Sequence, residues 1–141
     1  SYDFWRDGSA VEIYGATGSR IHHNTARNNH TFVELGLEGS ADNVISRNTV
    51  SSNRPRQYGL ITRGGEERFG PVLRTTFTRN KLRMTGRAST GFVCSAGCGP
   101  AVLTMTYNTF DITGDGGFAD HAPKMRGNRF LNGTLDIESQ R

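Results

Sequence analysis

The chain has 141 residues, a formal net charge of +4 and an apolar share of 34%, with 18 glycines, enough for one domain around one core. No apolar run approaches the roughly 20 residues of a membrane span, and no recognition helix or aromatic RNA-binding motif points to nucleic acid. The opening Ser1-Tyr2-Asp3-Phe4-Trp5-Arg6-Asp7 lacks the pattern of a signal peptide, which suits a mature secreted product or an excised fragment.

The predicted elements come in pairs of short strands. In chain order the first member of each pair is Val11-Glu12-Ile13-Tyr14-Gly15, Phe32-Val33-Glu34-Leu35-Gly36, Gly59-Leu60-Ile61-Thr62-Arg63-Gly64, Gly91-Phe92-Val93-Cys94-Ser95 and Gly117-Phe118-Ala119-Asp120-His121. Each is β-prone, and most meet a glycine at one end. The second member is built on an asparagine. These segments are Ile21-His22-His23-Asn24-Thr25-Ala26, Ile45-Ser46-Arg47-Asn48-Thr49-Val50, Phe77-Thr78-Arg79-Asn80-Lys81-Leu82, Met105-Thr106-Tyr107-Asn108-Thr109-Phe110 and Met125-Arg126-Gly127-Asn128-Arg129-Phe130. Three positions before the asparagine, and two after it, every residue is apolar. No segment keeps a helical period between two caps, which argues against a βαβ sheet.

The asparagines are 24, 32, 28 and 20 residues apart, the period of an internal repeat whose turns absorb insertions. We expect an all-β chain: a right-handed parallel β-helix of about five coils in one domain, residues 1–141, with coils starting near 10, 31, 57, 90 and 116. Stacked at about 4.8 Å per coil, it would be about 25 Å long. The ladders Ile21/Ile45/Phe77/Met105/Met125 and Ala26/Val50/Leu82/Phe110/Phe130 would fill the core. A structural ladder of Asn24, Asn48, Asn80, Asn108 and Asn128 would sit at a bend, where asparagine tolerates left-handed φ and its amide bonds above and below. Repeat arrays need caps, and none is visible, so we expect a piece of a longer solenoid, or ends covered by flanking coils or by self-association.

This organisation resembles the right-handed parallel β-helix proteins of the pectate-lyase-like superfamily from about Gly8 to Gly133. Asp7-Gly8-Ser9-Ala10-Val11-Glu12-Ile13-Tyr14-Gly15, Thr31-Phe32-Val33-Glu34-Leu35-Gly36 and Gly91-Phe92-Val93-Cys94-Ser95-Ala96-Gly97-Cys98-Gly99-Pro100 look like a group of bacterial extracellular β-helix proteins without an established activity. The resemblance implies a fold. It implies no single function, because the superfamily holds lyases, hydrolases, epimerases, tail spikes and passive adhesins.

Its enzymes usually hold substrate along the outer face of one sheet, so the first strand of each coil is the candidate surface. Setting Glu12 over Glu34 continues the outward line to Thr62, Cys94 and Asp120. Phe32, Leu60, Phe92 and Phe118 would lie one step before, also outward, and Phe32, Phe92 and Phe118 are the candidate sugar-stacking residues. The third coil has a second register that turns Arg63 outward beside Glu34. Superfamily lyases pair Ca²⁺-binding carboxylates with a basic residue that removes the proton α to a uronate carboxylate. Glu12, Glu34, Arg63, Asp120 and His121 are therefore candidate catalytic residues, and Ca²⁺ is the candidate cofactor. Two stacked glutamates would equally suit a glycosidase, or bond to turn amides. His22 and His23 are adjacent on a strand and should point apart. Cys94 and Cys98 suit a local disulfide and an oxidising compartment, hence a secreted or cell-surface protein. The basic stretch from Arg54 to Arg87 holds nine Lys or Arg. It reads either as solvated turns or as attraction to an acidic polymer such as a polyuronide. Three functions stay open: a carbohydrate-associated enzyme such as a polysaccharide lyase, a structural or adhesive solenoid, and a carbohydrate-binding module.

Overall fold

The computed structural model describes residues 8–65 and 70–138. The opening heptapeptide and Arg68 of the basic run lie outside the described residues. Among these residues there are fourteen strands and no helix. The first coil holds β1 (Ser9–Tyr14), β2 (Arg20–His22) and β3 (Thr25–Arg27). The second holds β4 (Thr31–Gly36), β5 (Val44–Ser46) and β6 (Thr49–Ser52), and the third β7 (Tyr58–Arg63), β8 (Thr75–Thr78) and β9 (Lys81–Met84). They are followed by β10 (Thr90–Ser95), β11 (Leu103–Thr106), β12 (Thr109–Ala119), β13 (Lys124–Arg126) and β14 (Arg129–Ile137).

Each strand pairs in parallel with its counterpart one coil away, which makes a solenoid with three faces. The first sheet runs β1-β4-β7-β10 and ends on the later halves of β12 and β14. The second runs β2-β5-β8-β11-β13. The third runs β3-β6-β9 and ends on the early halves of β12 and β14. β12 and β14 turn the corner between third and first sheets through register shifts between Phe110 and Gly117. The end of β14 therefore lies on β12, Leu135 on Gly117 and Asp136 on Phe118, and opens a sixth turn beyond the expected five. Gly133 makes that corner possible. Its φ is +81°, and a Cβ there would come within 2.8 Å of backbone atoms of Ile112, Gly114 and Gly116.

The apolar positions stack as columns. Ile45, Phe77 and Met105 are fully buried along the second sheet, and Val50, Leu82 and Phe110 are buried along the third. The outermost members, Ile21, Met125 and Phe130, are only partly covered, although Phe130 stacks on Phe110 with ring centroids 4.8 Å apart.

The asparagines form an unbroken chain of amides. Each Oδ1 accepts the backbone N–H and the side-chain Nδ2 of the asparagine one coil earlier, at 2.9–3.1 Å, from Asn24 on Asn48 to Asn108 on Asn128. From Asn48 onward, each Nδ2 also donates to a backbone carbonyl of the preceding coil, such as Ile45 for Asn80. The left-handed residue is not the asparagine, as expected, but the one before it. His23, Arg47, Arg79 and Tyr107 have φ of 55–57°, and Gly127 has 68°. The bend reverses the chain one residue early, which turns the asparagine side chain inward, where Asn48, Asn80 and Asn108 are buried.

Candidate functional site

A strand with one buried face alternates inward and outward residues, and β1 does so: Ile13 is buried while Glu12 and Tyr14 are exposed. β4 bends first, since Thr31, Phe32 and Val33 are all buried, and alternation resumes with Glu34 outward and Leu35 inward. The outward line on the first sheet follows from pairing: Glu12 on Glu34, Glu34 on Ile61, Ile61 on Val93, Val93 on Phe118 and Phe118 on Asp136.

This register corrects the third and fourth coils. Thr62 and Cys94 are not in line with Glu34. They pair with each other, one residue further along, and are fully buried. Leu60 and Phe92 are paired core residues, and Phe32 is buried too, so Phe32 and Phe92 cannot stack on a sugar. The cause is the bend: glycine replaces Phe32 at positions 59 and 91, where a Cβ would strike Leu82 and Phe110 respectively. Phe118 does face outward and is partly exposed.

The same register turns Arg63 outward. Its guanidinium lies 3.9 Å from Glu34 Oε1, with both side chains mostly covered. Ser9 Oγ donates to Glu34 Oε2 at 3.5 Å. Tyr14, Glu34, Leu37 and Arg63 line a cavity of about 290 Å³. Burial, hydrogen bonding to Glu34 and the charges of Glu34 and Glu12 push the Tyr14 phenol up to about 12, against the pull of Arg63. Tyr14 and Leu37 were missed in the sequence. Tyr14 was findable, because it stands two residues after Glu12 on one strand face.

At the other end of this face a second cavity, of about 460 Å³, is lined by Tyr58, Thr90, Val93, Asp115, Phe118 and Asp136, among others. Of these only Phe118 was singled out from sequence.

Asp120 does different work from Glu34. Its Oδ2 accepts the Gly97 N–H at 2.7 Å and its Oδ1 the Cys98 N–H at 2.9 Å. Cys94 and Cys98 are joined across that turn, with Cα atoms 5.5 Å apart. His121 Nδ1 lies 3.4 Å from Asp120 Oδ1. Burial opposes ionisation of Asp120, but the two amides and His121 outweigh it and hold the carboxyl below its usual range. Asp120 and His121 thus belong to the disulfide turn, two coils from Arg63, and do not join the Glu34 cluster.

Ca²⁺ takes six to eight oxygens. Among the described residues no three of the acidic, histidine or cysteine side chains gather to hold an ion, and Arg63 already brings positive charge to Glu34. The residues here therefore do not fit a Ca²⁺ site. His22 and His23 are closer than strand alternation predicts, with their Nδ1 atoms 2.8 Å apart, because His23 is already in the left-handed bend.

No curated protein and no solved structure matches the chain. Residues 3–134 match the family described as right handed beta helix region. That match spans nearly the whole chain, and its parallel strands stack coil on coil, so the protein belongs to the right-handed β-helix family.

Proposed function

We propose that the chain is a carbohydrate-associated β-helix of the cell exterior, with a sugar chain lying along the outer face of its first sheet. The observation that carries this reading is the two-ended character of that face. A carboxylate–tyrosine–arginine cavity stands at one end and a cavity with Phe118, Tyr58, Asp115 and Asp136 at the other. Glu34 and Phe118 are three strand steps apart, about 14 Å, with Ile61 and Val93 between them. Carboxylates accept hydrogen bonds from sugar hydroxyls, and the aromatic rings offer stacking surfaces. The disulfide and the absence, among the described residues, of a helix able to cross a membrane are compatible with an exterior location.

The Tyr14–Glu34–Arg63 cluster favours a second, catalytic reading as a polyuronide lyase. Arg63 would hold the uronate carboxylate. Glu34 would take the α proton as the carbon–carbon double bond forms, and Tyr14, protonated at neutral pH, would give its proton to the departing glycosidic oxygen.

A panel of neutral and acidic polysaccharides, followed by calorimetry and by the absorbance of unsaturated uronates, tests both. Binding that falls in both Glu34→Gln and Phe118→Ala supports the glycan face. New absorbance lost in Glu34→Gln and Tyr14→Phe supports the lyase. Unchanged affinity and turnover in Glu34→Gln and Phe118→Ala would rule out the face and leave a passive solenoid.

A further inference from the structure

The outer face of the third sheet takes no part in that reading. Ala26, Val50, Leu82 and Phe110 turn to the core, so the residues on either side of them face outward. One outward column is Thr25, Thr49, Lys81, Thr109 and Arg129, and the other begins Arg27, Ser51, Arg83 and Asp111. Four cations therefore share a face with one carboxylate. That carboxylate is already engaged: Asn132 Nδ2 donates to Asp111 Oδ1 at 2.6 Å, and Arg83 Nε lies 3.9 Å from Oδ2. Among the described residues Arg27, Lys81 and Arg129 have no ion-pair partner.

The face is concave as well as basic. A cavity of about 410 Å³ holds Arg27, Ser51, Asn53, Arg83 and Thr85. A second, of about 470 Å³, holds Thr49, Lys81, Thr109, Arg129 and Leu131. Both include Ser51 and Arg83, so they form one track across the coils. Along it the cations fall on alternate coils, Arg27 on the first, Lys81 and Arg83 on the third and Arg129 on the fifth. The strand spacing separates these rungs by about 10 Å. Hydroxyls stand on the rungs between, Thr49 and Ser51 on the second coil and Thr109, beside Asp111, on the fourth.

We infer that this track binds a linear acidic polysaccharide. Its carboxylate or sulfate groups meet the arginine and lysine rungs in charge-assisted hydrogen bonds. Its hydroxyls meet the serine and threonine rungs. Single-stranded nucleic acid also offers a row of anions, but its binding sites supply aromatic platforms for the bases, and no aromatic side chain lines either cavity. The track lies on a different face of the solenoid from Glu34 and Phe118, around the corner that β12 turns, and shares no lining residue with their cavities, so either surface can fail its test without the other.

The test is titration calorimetry of the whole chain with polygalacturonate, dextran sulfate, uncharged dextran and poly(dT). One or both acidic polysaccharides should bind, and which of them does identifies the anion. Uncharged dextran should leave this track empty. Paired Arg27→Ala and Arg83→Ala should weaken that binding about tenfold, and salt should weaken it further. Paired Lys124→Ala and Arg126→Ala, which remove equal charge from the second sheet, should leave it within about twofold. Asp111→Asn should tighten binding by about two- to threefold, because it removes the one repelling carboxylate, a gain that misfolding cannot produce. Equal losses in the two paired variants, affinity retained without Arg27 and Arg83, or poly(dT) binding as tightly as the acidic polysaccharides would overturn the inference.

Discussion

At the scale of single residues, similar carboxylates are held in unlike ways. Asp120 accepts two backbone amides and closes the disulfide turn from the next coil. Asp120→Asn keeps the shape but loses the charge and one acceptor, and should cost about 1–2 kcal/mol at neutral pH, measured by denaturant unfolding. Because the folded pKa lies below the unfolded value of about 3.8, this contribution is full above that value and is lost as pH falls through the folded one. The gap between wild type and Asp120→Asn should therefore narrow below about pH 4. Tyr14 shows the opposite shift. Ultraviolet titration should resolve one tyrosine near 12, absent in Tyr14→Phe. In Glu34→Gln it should move back toward 10, since the carboxylate contributes both a hydrogen bond and a negative charge. A Tyr14 transition that stays put in Glu34→Gln would show that the phenol senses only its burial.

At the scale of elements, each strand is too short to hold its place alone, and the columns supply the register. Phe77 is fully buried in β8 between Ile45 and Met105, so Phe77→Ala should cost about 3–5 kcal/mol through the cavity it leaves. Asn80→Ala should cost about 2–3 kcal/mol by another route, because the buried Asn48 N–H loses its acceptor. Asn24, exposed at the first bend, accepts no ladder bond among the described residues, and Asn24→Ala should cost less than half as much. Equal losses at the two positions would show that the amides act singly rather than as a chain. The second and third sheets were legible because every coil carries the same apolar–asparagine–apolar spacing. The first sheet was legible only where alternation begins, at Glu12 and Glu34. Its third and fourth coils were read one residue out, because position 32 is a large core side chain and positions 59 and 91 are glycines. A bend with neighbouring residues buried breaks the period of two. The signal was there: Tyr58-Gly59-Leu60-Ile61-Thr62-Arg63 aligns without a gap on Thr90-Gly91-Phe92-Val93-Cys94-Ser95, and Tyr58 on Thr31.

At the scale of the whole molecule, each coil touches only its neighbours, so stability is a sum over adjacent pairs. Amide hydrogen exchange in this chain should be slowest in β4, β5, β7 and β8 and fastest in β2, β13 and β14, which hold no buried residue. Uniform protection across all coils would mean that the solenoid opens only as a unit. The bend before each asparagine also bears on how such a chain can change over generations. Its backbone is held in one conformation by the amide ladder, yet its residues are histidine, arginine, arginine, tyrosine and glycine, all five exposed to solvent and outside the core. A mutation there rewrites what the molecule shows along one edge without touching what holds it up. The left-handed strain of a non-glycine residue, about 1–2 kcal/mol, is borne here by histidine, arginine and tyrosine alike, and is largest for β-branched side chains. Recognition can therefore drift along this edge while the fold stays fixed.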